Sequence, residues 1–147
     1  MNSDRRFVID ERLAGRLRLS RDQAGASPRI EAEVEGVILE GELALRSGEF
    51  VVFSSEDCPY EETLHVTLLG PSGTVLDSAE LGRAMQPGMF QNLESLSDGI
   101  AEFDFFPERR HRLEVRDARC GLLTHILRRS RLKLTLTDQA TTHDEPT

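Results

Sequence analysis

The chain has 147 residues, of which 38% are hydrophobic and 30% charged; it has two cysteines and a formal net charge of −8. This composition is typical of one globular domain and excludes collagen-like and disulfide-scaffold proteins. No apolar run approaches the roughly 18 residues of a membrane-spanning helix. Because the first thirty residues contain no apolar signal-peptide segment, we expect a cytoplasmic protein with reduced thiols and no membrane association.

Charge is distributed in blocks along the chain. Residues 1–30 hold seven arginines and four acids, residues 31–107 hold sixteen acids and two arginines, and residues 108–137 hold nine basic residues and three acids. Two interpretations stay open: the basic blocks pair with the acidic block across neighbouring strands, or the surface is bipolar and favours charge-matched association. The overall acidity predicts no nucleic-acid binding, because phosphates require a net basic surface.

Alternating apolar and polar residues predict a series of short strands. Residues 30–36 alternate with glutamate on one face, and four apolar residues at 50–53 predict a strand buried on both faces. Residues 70–73 (Gly-Pro-Ser-Gly) predict a hairpin turn between flanking strands. Residues 7–9 and 17–19 resemble edge strands. Further strands are predicted around residues 37–39, 43–45, 100–105, 113–115 and 132–137.

Two stretches depart from this alternation. Apolar residues between 89 and 96 fall at helical spacing and predict a short helix that ends near Gly99. Residues 120–127 fit either a second helical turn or a buried strand. Together the elements predict a mainly β fold, an antiparallel β-sandwich of about seven to nine short strands with one or two short helices, or alternatively a small closed barrel. We expect a single domain over 1–137 and a flexible polar tail over 138–147.

Residues with metal or nucleophilic chemistry show no recognisable spacing in the sequence. Cys58 and Cys120 form no CxxC motif, and the four histidines form no ligand pair, so we expect neither a metal ion nor another cofactor. The acidic loop 56–62 has two interpretations, a solvated loop or a calcium site that supplies three or four oxygens. No nucleophile, phosphate-loop or dinucleotide motif is present, and we therefore expect no enzyme.

Two arginine-rich runs are the predicted sites for a partner or an anion. The residues are Arg109, Arg110, Arg112, Arg128, Arg129 and Arg131. The leading functional hypothesis is a non-enzymatic accessory or assembly domain that binds a protein partner, or a second copy of itself in a homo-oligomer, through charged strand edges or a bipolar surface. The alternative is a β domain that binds a small anion or nucleotide through these arginine-rich turns.

Overall fold

The computed structural model describes residues 5–25, 27–117 and 130–137, and these ranges form eleven strands without a helix. None of the described segments is therefore a helix of the length and apolarity needed to cross a bilayer. The strands are β1 (Val8–Leu13), β2 (Arg16–Arg21), β3 (Ile30–Glu35), β4 (Ile38–Ala44), β5 (Phe50–Ser55), β6 (Thr63–Leu69), β7 (Val75–Gly82), β8 (Gln91–Ser97), β9 (Ile100–Asp104), β10 (Arg110–Val115) and β11 (Leu132–Thr137).

The strands form three antiparallel sheets, and none of the sheets closes into a barrel. The N-terminal sheet has the order β1-β2-β3, the central sheet β4-β5-β6-β7, and the C-terminal sheet β11-β10-β9-β8. The mainly β, sandwich-like fold predicted from the sequence is confirmed, with eleven strands where seven to nine were expected. The strands at residues 17–19 were expected at an edge, but β2 lies between β1 and β3.

The central sheet is buried on both faces at its two inner strands, β5 and β6. One set of its side chains, including Val51, Phe53 and Val66, packs against the C-terminal sheet around Phe103. The alternate set, including Val52, packs against the N-terminal sheet. All six residues of β5 are buried, which confirms the prediction from its four consecutive apolar residues. Because side chains alternate between faces, successive residues of β6 also point toward different sheets.

The helix predicted over residues 89–96 is wrong, because most of this stretch forms the edge strand β8. Its pairing with β9 is irregular at two places, and each irregularity adds a residue to β8. An extra residue changes the strand spacing of two into a spacing of three, so Phe90 and Leu93 both pack against the core. The expected cap at Gly99 lies in the turn to β9, with a φ of 79°. Residues 120–127 and the predicted tail 138–147 lie outside the described residues.

Ion pairs connect the basic blocks of the chain to its acidic middle. Arg21 pairs with Glu42 at 2.7 Å, and Arg131 pairs with Glu49 at 2.5 Å. Arg110 lies within 3.2 Å of three carboxylates, those of Glu94, Glu102 and Asp104. The structure thus supports the pairing of basic blocks with the acidic middle, between neighbouring strands for Arg110 on β10 with β9, and between two sheets for Arg21 with Glu42.

Four edge strands carry an extra residue relative to the strands they pair with. The insertions are Asp10 in β1, Glu40 in β4, Leu76 in β7, and two positions in β8. Such bulges interrupt the regular row of backbone donors and acceptors that an added strand requires. These four edges are therefore poor templates for the strand-edge binding that the sequence suggested.

Candidate metal centre

His65 is a buried polar residue in the middle of β6. It is 7% exposed and points toward the side of the central sheet that faces the N-terminal sheet. Its Nε2 lies 2.5 Å from Oε1 of Glu56, at hydrogen-bond distance. Its Nδ1 lies 3.3 Å from Oε1 of Glu80 and 3.6 Å from Oε2 of Glu35. One imidazole therefore has a carboxylate on one nitrogen and two carboxylates facing the other.

The donor atoms of Glu35, His65 and Glu80 converge on one point. One ligand atom from each residue lies within 4.8 Å of the others, so a single cation can contact all three. The two glutamate side chains are 58% and 61% exposed, whereas the imidazole is buried. The cluster thus has a buried nitrogen at its base and carboxylates that open to solvent.

A bulge in the β6–β7 hairpin sets Glu80 opposite His65. Leu69 pairs with Val75, but beyond the extra residue Leu76 the register shifts by one, and His65 pairs with Glu80. Without that residue the same register would place Ala79 opposite His65. A shift of one residue also moves each side chain to the other face of the sheet, so the bulge is what brings this carboxylate to the imidazole.

Close backbone contact at the end of β3 places Glu35 over the same point. The Ser54 hydroxyl donates a hydrogen bond to the Glu35 carbonyl oxygen at 2.5 Å, and Ser54 pairs with His65 in the β5–β6 register. Gly36 follows with a φ of 122°, and a Cβ there would lie 2.9 Å from the Ser54 Cβ. Glycine is required at this position by both its conformation and its close contact.

The acidic loop 56–62 supplies Glu56 to His65 and is organised around a second carboxylate. Glu62 is 7% exposed and accepts hydrogen bonds from the backbone N–H groups of Glu56, Cys58 and Thr63 at 2.7, 2.9 and 3.0 Å. This carboxylate is therefore used inside the loop, which bears against the hypothesis that the loop gathers its oxygens around calcium. Cys58 itself is exposed.

The neutral form of His65 can leave a position for a cation. With the hydrogen on Nε2 and donated to Glu56, Nδ1 presents a lone pair toward the oxygens of Glu35 and Glu80. Neither Nδ1 contact is a hydrogen bond in the structure, although both are within ion-pair distance. Three electron-pair donors that face one another need a positive charge between them, supplied by a proton or by a metal ion.

A cavity of about 220 Å³ opens beside the three donor atoms. The cross-strand pair Thr67 and Ser78 lies next to the pair His65 and Glu80 along its wall, and Arg16 also lines it. Room and polar groups are thus present on the open side of the cluster.

The arginines predicted to bind a partner or an anion lie in different environments in the structure. Burial acts to lower the pKa of Arg110, but the carboxylates of Asp104 and Glu102 outweigh it and the pKa is raised. Arg112 lies 3.9 Å from Glu102. Arg109 is exposed and contacts no carboxylate within 4 Å in the described ranges. Arg128 and Arg129 lie outside the described residues. Arg109, Arg110 and Arg112 share one turn and strand, but two of the three face acidic side chains.

Arg131 is occupied by contacts within the fold. Both of its terminal nitrogens bond the Glu49 carboxylate, and its Nε donates to the Arg116 carbonyl oxygen at 2.9 Å. The hydrogen bond from Arg131, opposed by burial, lowers the pKa of Glu49. Asp77 accepts hydrogen bonds from the backbone N–H groups of Arg131 and Leu132, which fixes the beginning of β11.

Sequence spacing did not identify the His65 cluster, because its members come from β3, β6, β7 and a loop. The signal available in the sequence was the hairpin turn at 70–73, which places β6 and β7 side by side. The bulge that decides which β7 residue faces His65 has no comparable signal.

Comparison with known proteins provides no relative. The chain matches no protein-family model, and no similar protein was found among the curated proteins or the solved structures.

Proposed function

We propose that this protein is a divalent-metal-binding β domain, with Nδ1 of His65 and the carboxylates of Glu35 and Glu80 as ligands. The observation that carries the proposal is the spacing of the donor atoms. Metal–ligand bonds of 2.0–2.2 Å at tetrahedral angles separate ligand atoms by about 3.3–3.6 Å. The two distances from Nδ1 are 3.3 and 3.6 Å; neither contact is a hydrogen bond, and both match the spacing of two ligands on one ion.

The ligand types favour a transition metal over calcium or magnesium. One imidazole with two carboxylates suits Zn²⁺, Co²⁺ or Ni²⁺, whereas calcium takes six to eight oxygens and magnesium retains several waters. Glu56 adds the outer contact that metal-bound histidines usually have, since its bond to Nε2 holds the ring orientation and leaves Nδ1 free to coordinate.

Calorimetric titration of the metal-free protein with Zn²⁺ and Co²⁺ tests the proposal. We expect one site per chain, with affinity reduced at least a hundredfold by His65→Ala and tenfold or more by Glu80→Gln. Glu94→Gln is the matched control, because Glu94 is also on an edge strand and its side chain is 63% exposed, close to the 61% of Glu80.

Two results would contradict the proposal. One is the absence of saturable binding by the wild-type protein, which would assign the cluster to a protonated imidazole paired with carboxylates. The other is equal affinity of the wild type, Glu80→Gln and Glu94→Gln, which would place the bound ion elsewhere. No catalytic role is proposed, and the expectation that the protein is not an enzyme stays a prediction.

Protein binding is the second candidate function, with a second copy of this chain as the partner. It is favoured by a cavity of about 440 Å³ whose lining includes Met89, Phe105, Phe106 and Arg109. Met89 is 65% exposed, and Met85, four residues earlier in the chain, is 86% exposed. An exposed cation beside apolar side chains complements the acidic surface of a second, net-negative chain.

The mass in solution at low and high salt tests this second function. A dimer that dissociates with salt and is weakened by Arg109→Ala supports it. A monomer at both salt concentrations rules out self-association.

A further inference from the structure

We infer that the metal ion held by Glu35, His65 and Glu80 binds a carboxylate from outside the chain, and that Arg16 holds the second oxygen of that carboxylate. This inference rests on the proposed metal site and names what the site binds. The ligand is either a small carboxylic acid or the acidic side chain of a partner protein, which present the same group to the ion.

Three ligands leave the ion incompletely coordinated. Structural zinc sites are closed by four protein ligands, whereas sites that bind a further group keep a position open. Here the two carboxylates are more than half exposed, and the cavity of about 220 Å³ lies against all three donors. The open side of the ion therefore faces this cavity.

Arg16 is placed to contact a ligand on that side. It is the direct cross-strand neighbour of Glu35 in the β2–β3 register, and it lines the same cavity. Its Nη1 contacts Glu33 at 3.4 Å, which is long for a charge-assisted bond, and its side chain is 57% exposed. The planar guanidinium has further N–H groups with which to bind a second carboxylate.

Charge and size select the class of ligand. A divalent ion neutralises Glu35 and Glu80, and Arg16 neutralises Glu33, which leaves the charge of Glu56 on the other side of the imidazole. A carboxylate adds one negative charge to this site, whereas a phosphate dianion adds two, so the carboxylate is favoured. The cavity has the volume of about seven water molecules, enough for a small acid or one side chain.

Binding of a carboxylate to the Co²⁺-loaded protein can be followed by the visible absorption of the ion, because this absorption changes when the ligands of Co²⁺ change. Three probes are titrated: acetate, inorganic phosphate, and a blocked peptide with a single glutamate. We expect acetate or the peptide to shift the spectrum and saturate, with phosphate weaker by tenfold or more. Tighter binding of acetate identifies a free acid as the source, and tighter binding of the peptide identifies a protein side chain.

Two arginine variants test the role of Arg16. We expect Arg16→Ala to weaken carboxylate binding about tenfold, as for the loss of a charge-assisted hydrogen bond, while Co²⁺ still saturates the site because no metal ligand is removed. Arg18→Ala is the matched control: Arg18 is on the same face of β2, its side chain is 51% exposed, and it pairs with Glu11 rather than lining the cavity.

The outcomes separate this inference from the proposed function. Failure of Co²⁺ to bind overturns both. Tight Co²⁺ binding with a spectrum that neither acetate nor the peptide alters overturns the carboxylate inference alone. Equal loss of carboxylate affinity in Arg16→Ala and Arg18→Ala overturns the assignment of Arg16.

Discussion

Two buried histidines of this domain lie in opposite environments. His65 is surrounded by carboxylates, whereas His111 on β10 lies among phenyl rings, with the centroids of Phe103 and Phe106 each 5.5 Å from its own. The Nε2 of His111 is buried and has no hydrogen-bond partner among the described residues. The same side chain therefore fills space at one position and presents a ligand atom at the other, and burial alone does not distinguish these roles.

Replacing each histidine with alanine should give the largest difference between the two positions, measured as the free energy of unfolding. His111→Ala removes a ring from a packed aromatic cluster, and we expect it to lower the free energy of unfolding by about 3 kcal/mol. His65→Ala removes a buried ring that borders a cavity and has a hydrogen-bond contact with Glu56, so a smaller loss of about 1–2 kcal/mol is expected without metal. Urea unfolding of both variants measures the difference, and a larger loss for His65→Ala would reverse this assignment.

Metal should stabilise the fold through only one of the two histidines. At a Zn²⁺ concentration a hundred times the dissociation constant, binding to the native state alone adds about 2.7 kcal/mol to the free energy of unfolding. We expect this gain in the wild type and in His111→Phe, and its absence in His65→Ala. Thermal unfolding with and without Zn²⁺ provides the measurement, and stabilisation of His65→Ala would place the ion away from this cluster.

The outer contact of His65 should have a smaller effect. Glu56→Gln keeps the shape of the side chain but replaces the charged acceptor at Nε2, and we expect metal affinity to fall about tenfold. Glu61→Gln is the control, because it changes an exposed glutamate of the same loop. The ratio of the two affinities comes from the same titrations, and a ratio near one would mean that Glu56 does not position the ring.

The smallest expected effect concerns the pH dependence at His111. Burial, together with the nearby charge of Arg109 and against that of Asp104, lowers the pKa of His111 from its usual 6.5. Above this pH both the native and unfolded states are neutral there. As the pH falls below about 6.5 the unfolded state takes up a proton that the native state excludes, so stability decreases.

His111→Phe should remove that loss. The substitution replaces an unpaired buried nitrogen with carbon, and we expect a gain of about 1 kcal/mol at pH 7.5 that grows toward pH 5.5. Comparison of urea midpoints for the wild type and the variant at the two pH values cancels the other titrating groups. A constant difference between pH 7.5 and 5.5 would show that His111 is protonated equally in both states.

Local alternation was sufficient to predict much of the fold. The glutamates of β3 lie on its exposed face, and the turn at 70–73 joins β6 to β7 as expected. The helix predicted at 89–96 was wrong because a bulged strand and a helix both place residues three apart on one face. In this segment the sequence pattern indicates which residues face the core. It does not indicate whether the backbone is a helix or a bulged strand.

The candidate site could not be predicted from local sequence patterns. Its ligands are brought together by contact between two sheets and by one inserted residue, Leu76, that selects Glu80 rather than Ala79. Histidine spacing searches assume that ligands share an element, and here each is on a different strand. The charge blocks left two interpretations open, and the ion pairs of Arg21, Arg110 and Arg131 with acidic residues of the middle block favour the first.

The ion pair between Arg131 and Glu49 joins residues 82 positions apart, and Leu132 completes the core that β5 and β6 begin. During synthesis, β5 and β6 leave the ribosome long before the strand that covers them. Contacts of such large sequence separation form slowly, and incomplete chains expose apolar surface until they do. A nascent chain that stops before residue 132 therefore presents an open core, so the production of this domain depends on elongation reaching β11 without a long pause.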